Sequence, residues 1–168
     1  MRVVSIDPAI RNTGYAVIEG DHRAARALHY GTLSLPAKLP QSGCLLAIHE
    51  HVCRLIEEWQ PEELAIEGII YVQSHRTAIA MGSARAATVL AAAKHGLPIM
   101  EYPPSCAKLA TVGRGGAAKT QVAFMMRALL HLTETPAPDA ADALAIGYAH
   151  LMAADPLRAH LFKERRYI

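Results

Sequence analysis

Apolar residues along the chain follow two periods, and the switches between them mark out its elements. Arg2 to Asp7 is a short apolar run rich in β-branched residues, Thr13 to Glu19 alternates, and Ala27 to Leu35 reads as a third strand. Gly20 and Asp21 supply a turn, and short connections of this kind predict an antiparallel meander. From Cys44 to Trp59, apolar side chains recur at 45, 48, 52, 55, 56 and 59, a helical stripe that Pro61 ends. Leu64 to Glu67 is a fourth strand, His75 to His95 a long helix stopped by Gly96, and Pro98 to Tyr102 a fifth strand. Ser105 to Val112, Thr120 to Leu130 and Asp139 to Met152 read as three further helices. This order predicts an α/β fold built on a five-stranded mixed sheet, three strands antiparallel and then two parallel, with helices on both faces. One domain over 1–154 and a basic tail over 155–168 complete the organisation.

Composition narrows the class. Hydrophobic residues make up 52% of the 168 and charged residues 19%, which fits one compact domain and excludes a disordered chain. The longest central apolar stretch, Ala86 to Ala93, is far shorter than the ~20 residues a bilayer needs. The chain enters its first strand without the regions of a signal peptide. Cys44, Cys53 and Cys106 form no C-x-x-C pair and read as reduced, packed thiols of a cytoplasmic protein. His49 and His51, two apart on a helix, do not share a face and make a poor metal site. The tail sets Arg158, Lys163, Arg165 and Arg166 against Glu164 alone. Such a segment either attracts polyanions or is a solvated end.

The net charge of +2 conceals the most specific feature, four acids in defined settings. Asp7 and Glu67 each end an apolar strand, so backbone geometry directs them from the rim of a sheet. If those strands are parallel neighbours, both emerge at one edge. Asp139 and Asp142 are i and i+3 on a helix and share a face, and Ala140, Ala141 and Ala143 let that helix lie close to the sheet. Taken singly, each acid has a structural reading: Asp139 as a helix N-cap, Asp142 as a favourable first-turn charge, Asp7 before Pro8 as a turn residue. Together they predict a cluster whose repulsion cations neutralise. Oxygen-only ligands favour Mg²⁺ or Mn²⁺, and two such ions ~3.5–4 Å apart are a common device for hydrolysing phosphodiesters.

Residues 113–120, Gly-Arg-Gly-Gly-Ala-Ala-Lys-Thr, approach the phosphate loop G-x-x-x-x-G-K-[ST], but Ala118 stands where that motif needs glycine. No apolar strand ending in Asp follows, so an ATPase is set aside. Arg114 and Lys119 beside a helix N-terminus still suit a nucleic-acid phosphate.

These motifs resemble the RuvC-type Holliday junction resolvases over nearly the whole chain. The matching segments are Ile6-Asp7-Pro8 with Thr13-Gly14-Tyr15, Ala65-Ile66-Glu67, Ala84-Arg85-Ala86, Glu101-Tyr102, the run from Gly113 to Val122, and Asp139 to Ala145. The resemblance implies a ribonuclease H-like fold and a homodimer that resolves four-way DNA junctions by symmetric paired nicks during recombination and repair. It implies Asp7, Glu67, Asp139 and Asp142 as catalytic, metal-binding acids holding Mg²⁺ or Mn²⁺, two ions per subunit. Lys119 joins them in catalysis, and Lys108 and Lys119 would lie near the scissile phosphate. Arg76 and Arg114 count with them as DNA-binding residues, and a branch-migration helicase complex is the implied partner. The small-residue face at Ile79, Gly82, Ala86, Leu90 and Ala93 matches the family's dimer element; its plainer reading is packing against its own sheet.

The chain departs from the family pattern at Ala9, Gly68 and Ala87, and at Ile70, where an aromatic residue often stacks on a base. Tyr71 next door offers a stacking face, and an apolar wedge at Ile70 is the other option. Two alternatives stand beside the resolvase reading: a junction-binding module that does not cut, and a nuclease of the same superfold acting on flaps or hybrids.

Overall fold

The computed structural model describes residues 1–69 and 74–168. Ile70 and Tyr71, expected to meet the branch of a junction, lie outside the described residues. The chain opens with the antiparallel strands β1 (Arg2–Asp7), β2 (Asn12–Gly20) and β3 (Ala25–Ser34). Then follow α1 (Gln41–Trp59), β4 (Glu63–Glu67), α2 (His75–Lys94), β5 (Ile99–Tyr102), α3 (Pro104–Val112), α4 (Lys119–Leu129) and α5 (Pro138–Met152). A 3-10 turn at Ala159–Phe162 leads to a last short strand, β6 (Arg166–Tyr167).

Among the described residues the sheet has six strands in the order β3-β2-β1-β4-β5-β6, not the five expected. β4 and β5 run parallel to β1, and β6 pairs antiparallel with β5 through Glu101↔Arg166. The sixth strand comes from the tail. Its two residues are exposed and have no hydrophobic period, so their extended form follows from pairing with β5 rather than from local pattern. The tail is also anchored through Phe162, which is 1% exposed.

Alternation in the strands sorts the two layers. Val3, Ala65, Met100 and Tyr102 belong to a core shared with α3, α4 and α5, while Val4, Ile6, Leu64, Ile66 and Ile99 face α1 and α2. Side chains alternate across a strand. Ser5 and Asp7 therefore follow Val3 to the α5 side, and Glu67 follows Ala65.

α5 is buried along most of its length, and alanine is the commonest residue among its buried positions. Ser5 Oγ donates to the Ala143 carbonyl at 2.7 Å, tying the helix to the central strand. Gly147 has no room for a side chain, since a Cβ there would sit 2.6 Å from Ser5 Oγ.

Two of the plainer readings that the sequence left open do not match the structure. Asp139 is not the N-cap of its helix: Ala137 holds that position without a side-chain hydrogen bond, Pro138 follows, and Asp139 sits in the first turn. Pro at the first helical position is pre-set for the helix and lacks only an orphan N–H, so no Asp cap is required. The α2 face does not pack on its own sheet either. Ile79 is 67% exposed and Leu90 62%, and among the described residues nothing lies within 4 Å of a Cβ built on Gly82.

The Cys44, Cys53 and Cys106 thiols are free and buried. Among the described residues no helix is long and apolar enough to cross a membrane.

Candidate active site at the carboxyl edge of the sheet

The parallel ladder between β1 and β4 pairs Ile6 with Ile66. The next residue on each strand is an acid, so Asp7 and Glu67 leave the same edge side by side and on the same face. α5 crosses that face, and its start brings Asp139 over the pair from the first turn and Asp142, expected in that turn too, from the beginning of the second. The approach is close because β2 places Gly14 opposite Asp7 in the ladder. A Cβ at Gly14 would lie 2.0 Å from the Asp139 carbonyl oxygen.

The four acids line one cavity of about 380 Å³ with Lys108 of α3 and Lys119 of α4. Pro8, Ala9, Met81, Pro104, Val122 and Ala145 are among its remaining walls. Lys119 Nζ donates to Asp142 Oδ2 at 2.7 Å. That bond raises the Lys119 ammonium above its ordinary range. Lys108 is half-buried and faces the cavity from the neighbouring helix.

Electrostatics mark the pair at the sheet edge. Burial raises the Glu67 carboxyl, and repulsion from Asp7 adds to it. Burial likewise raises Asp7, with repulsion from Asp142 next. Two buried carboxylates this close do not both ionise without a compensating cation.

Among the described residues, no three His, Cys, Asp or Glu side chains converge at ligand distance on one point. Within the chain, the Lys119 ammonium offsets part of the acids' charge through its contact with Asp142. The donor set nevertheless suits a hard divalent cation. It is all carboxylate oxygen, it faces one cavity, and its raised carboxyls are the groups a cation would return to the ionised form.

The other expected contacts divide. Lys108 and Lys119 join the acids, whereas Arg76, exposed in the first turn of α2, and Arg114, exposed in the loop before α4, do not line the cavity. The glycine loop has no phosphate-loop geometry. It follows a helix rather than a strand, and Gly113, at φ 79°, caps α3. Met81, Pro104 and Ala107 are walls that sequence reading missed, since apolar residues at the starts and faces of helices give no local signal of a cavity.

Similarity to known proteins agrees with this geometry. Residues 3–150 match the family described as crossover junction endodeoxyribonuclease RuvC. The protein of that name from Akkermansia muciniphila is 67% identical over 168 residues, the full length of both chains. Its counterpart from Magnetococcus marinus is 43% identical, covering 90% of this chain and 84% of its own. The solved structure of T. thermophilus RuvC in complex with Holliday junction substrate superposes with a TM-score of 0.87 at 34% identity, covering 97% and 98% of the two chains. The yeast mitochondrial Holliday junction resolvase, at 14% identity and a TM-score of 0.66, shares the fold. The architecture is ribonuclease H-like, and a match of this extent in both sequence and fold settles kinship: the chain belongs to the RuvC family of crossover junction endodeoxyribonucleases.

Proposed function

We propose that the cavity is the centre at which this endonuclease cuts the strands of a four-way DNA junction, with Asp7, Glu67, Asp139 and Asp142 as its metal-holding acids. The observation that carries the reading is the meeting of four acids from three separate elements with two lysines in one cavity. Bound divalent cations would supply an activated water and neutralise charge on the phosphate. The chain's own residues do the rest. Asp7 and Glu67, held by the ends of two hydrogen-bonded strands, orient the site with little freedom to move. Lys119 is free to exchange its Asp142 partner for a phosphate oxygen, because its side chain is 65% exposed. Lys108 presents a second positive charge from α3. Positive groups aimed at developing charge in a partly dry cavity stabilise a transition state more than they do in water. Arg114 and Arg76, outside the cavity, suit the DNA backbone on either side.

A homodimer completes the proposal. The exposed α2 face with Ile79, Gly82, Ala86 and Leu90 offers small residues between apolar ones, and an isologous contact there would present two equivalent sites to a symmetric junction. Paired symmetric nicks follow from that symmetry, and a branch-migration helicase would act on the same junction.

The test uses purified full-length protein and a synthetic immobile four-way junction with Mg²⁺ or Mn²⁺. Paired nicks in opposed strands are expected. Asp7→Asn is expected to bind the junction and leave it whole. Competing flap, RNA–DNA hybrid and linear duplex substrates in the same reaction distinguish a resolvase from other nucleases of this fold. An Asp7→Asn protein that cuts like its parent refutes the assignment of the cavity.

A further inference from the structure

Two sequence motifs take no part in the cavity, and one contact joins them. Arg85, from Ala84-Arg85-Ala86 on α2, donates its Nε to Glu101 Oε2 at 2.8 Å and its Nη2 to the same oxygen. From the other side, Arg166 on β6 donates its Nε to Glu101 Oε1 at 2.9 Å and sets its Nη2 2.7 Å from that oxygen. Glu101 is 7% exposed, and both of its oxygens are taken. A desolvated carboxylate clamped in this way is poor value for stability alone, because the desolvation cost offsets the attraction between the charges. What the arrangement does provide is a fixed position.

The position matters because of what lies against it. Glu101 pairs with Ile66 in the ladder, one residue before Glu67. The Gly68 amide then donates to the Tyr102 carbonyl at 2.8 Å, extending the ladder just past Glu67. A Cβ on Gly68 would sit 3.1 Å from Glu101 Cγ and 3.2 Å from Cδ. The backbone after Glu67 therefore lies close against the Glu101 side chain, which would have to give by a few tenths of an ångström to admit a Cβ at Gly68.

We infer that Glu101, held between Arg85 and Arg166, is a positioning residue for Glu67, the backstop that fixes Gly68 and hence the direction in which Glu67 leaves β4. The inference rests on the proposal that Glu67 serves the reaction. It makes the last strand part of the active-site scaffold, although none of the residues lining the cavity comes from 155–168. It also gives Arg85 and the Glu101-Tyr102 pair a task that cation binding and DNA contact leave unassigned.

The experiment compares the parent with Glu101→Gln, Arg166→Ala and Arg166→Lys as full chains. Four quantities are read: the single-turnover cleavage rate at saturating protein with Mg²⁺, the junction Kd without metal, Tm, and exchange of the Gly68 amide in the free protein. Glutamine offers one acceptor oxygen and a donor amide, so it satisfies one guanidinium and turns away the other. Glu101→Gln and Arg166→Ala are expected to cut about tenfold more slowly, as small displacements of a reacting group do. Kd is expected to stay within twofold, Gly68 exchange to quicken about tenfold, and Arg166→Lys to recover most of the rate. Unchanged Gly68 exchange in both variants overturns the inference. So does a weaker Kd for Arg166→Ala with parental exchange, which would make Arg166 a DNA contact. A rate loss that only tracks the unfolded fraction given by Tm overturns it as well. Should the parent itself fail to cut junctions, the functional proposal falls, and the exchange measurement still decides whether the clamp holds Gly68.

Discussion

Replacing Gly14 with alanine tests how closely the site depends on the approach of α5 to the sheet. The added methyl would meet the Asp139 carbonyl oxygen at 2.0 Å and its carbon at 2.7 Å, against the 3.4 Å at which ordinary contact begins. The gap has to open by about 1.4 Å, the difference between 3.4 and 2.0, and neither partner is a side chain that can swing aside. β2 is held in the middle of the sheet by ladders on both edges. The N-terminal end of α5, its first turn and the residues just after it, is the part free to lift. Asp139 and Asp142 move with it, away from Asp7 and Glu67. A displacement of about 1 Å at a reacting constellation costs on the order of 10²-fold in rate. The strain of inserting a group into a packed contact costs about 1–3 kcal/mol of stability. The expected result is a folded protein with a lower urea midpoint, near-parental junction affinity and cleavage slowed about 10²-fold in single turnover. Cleavage within twofold of the parent would refute the claim that Gly14 sets the height of the acidic helix.

Three further outcomes follow from the structure. Ser5→Ala leaves the Ala143 carbonyl without its buried donor and should lower stability by about 1 kcal/mol in urea titration. His51, pushed down to about 4 mainly by burial, stays neutral in the folded chain, while the unfolded chain takes up a proton below about 6.5. Its stabilising contribution is thus complete above pH 6.5 and is lost as pH falls toward 4. With partial exposure this loss is about 1–2 kcal/mol, and His51→Phe should flatten the fall in unfolding free energy across that window by the same amount. Ile79→Glu on the exposed α2 face should convert a dimer to monomers in sedimentation velocity; a dimer that persists places the subunit contact elsewhere.

Much of the frame was legible because local pattern and tertiary role coincide in it. Val3, Val4 and Ile6 before Asp7, and Leu64, Ala65 and Ile66 before Glu67, describe strands buried on both faces that end at the rim where the acids gather. The alanines around Asp142 announced a helix that lies close to another element. The missing parts arise from contacts with no local signal. β6 exists because Arg166 pairs with Glu101, 65 residues away, and nothing in two exposed residues predicts a strand. The charges of Arg85 and Glu101 were visible, but their meeting depends on α2 packing beside β5. Gly14 reads as an ordinary strand glycine until α5 is set on top of it. The small-residue face of α2 signals close packing in either case, and only the fold shows that its own sheet is not the neighbour.

The alternation along β1 has one more consequence. Ser5 and Asp7 share a face, so the hydroxyl that ties down α5 and the acid beneath α5 have the same parity. A slip of one residue in the pairing of β1 would turn both to the other side, toward α1 and α2, and would bury an acid among Val4's neighbours. Misassembled chains would then lack the helix anchor and the acid at once. On the role proposed for Asp7, a chain with this slip has lost one of its four acids and the seat of the acidic helix together, so a misaligned molecule is inert rather than indiscriminate.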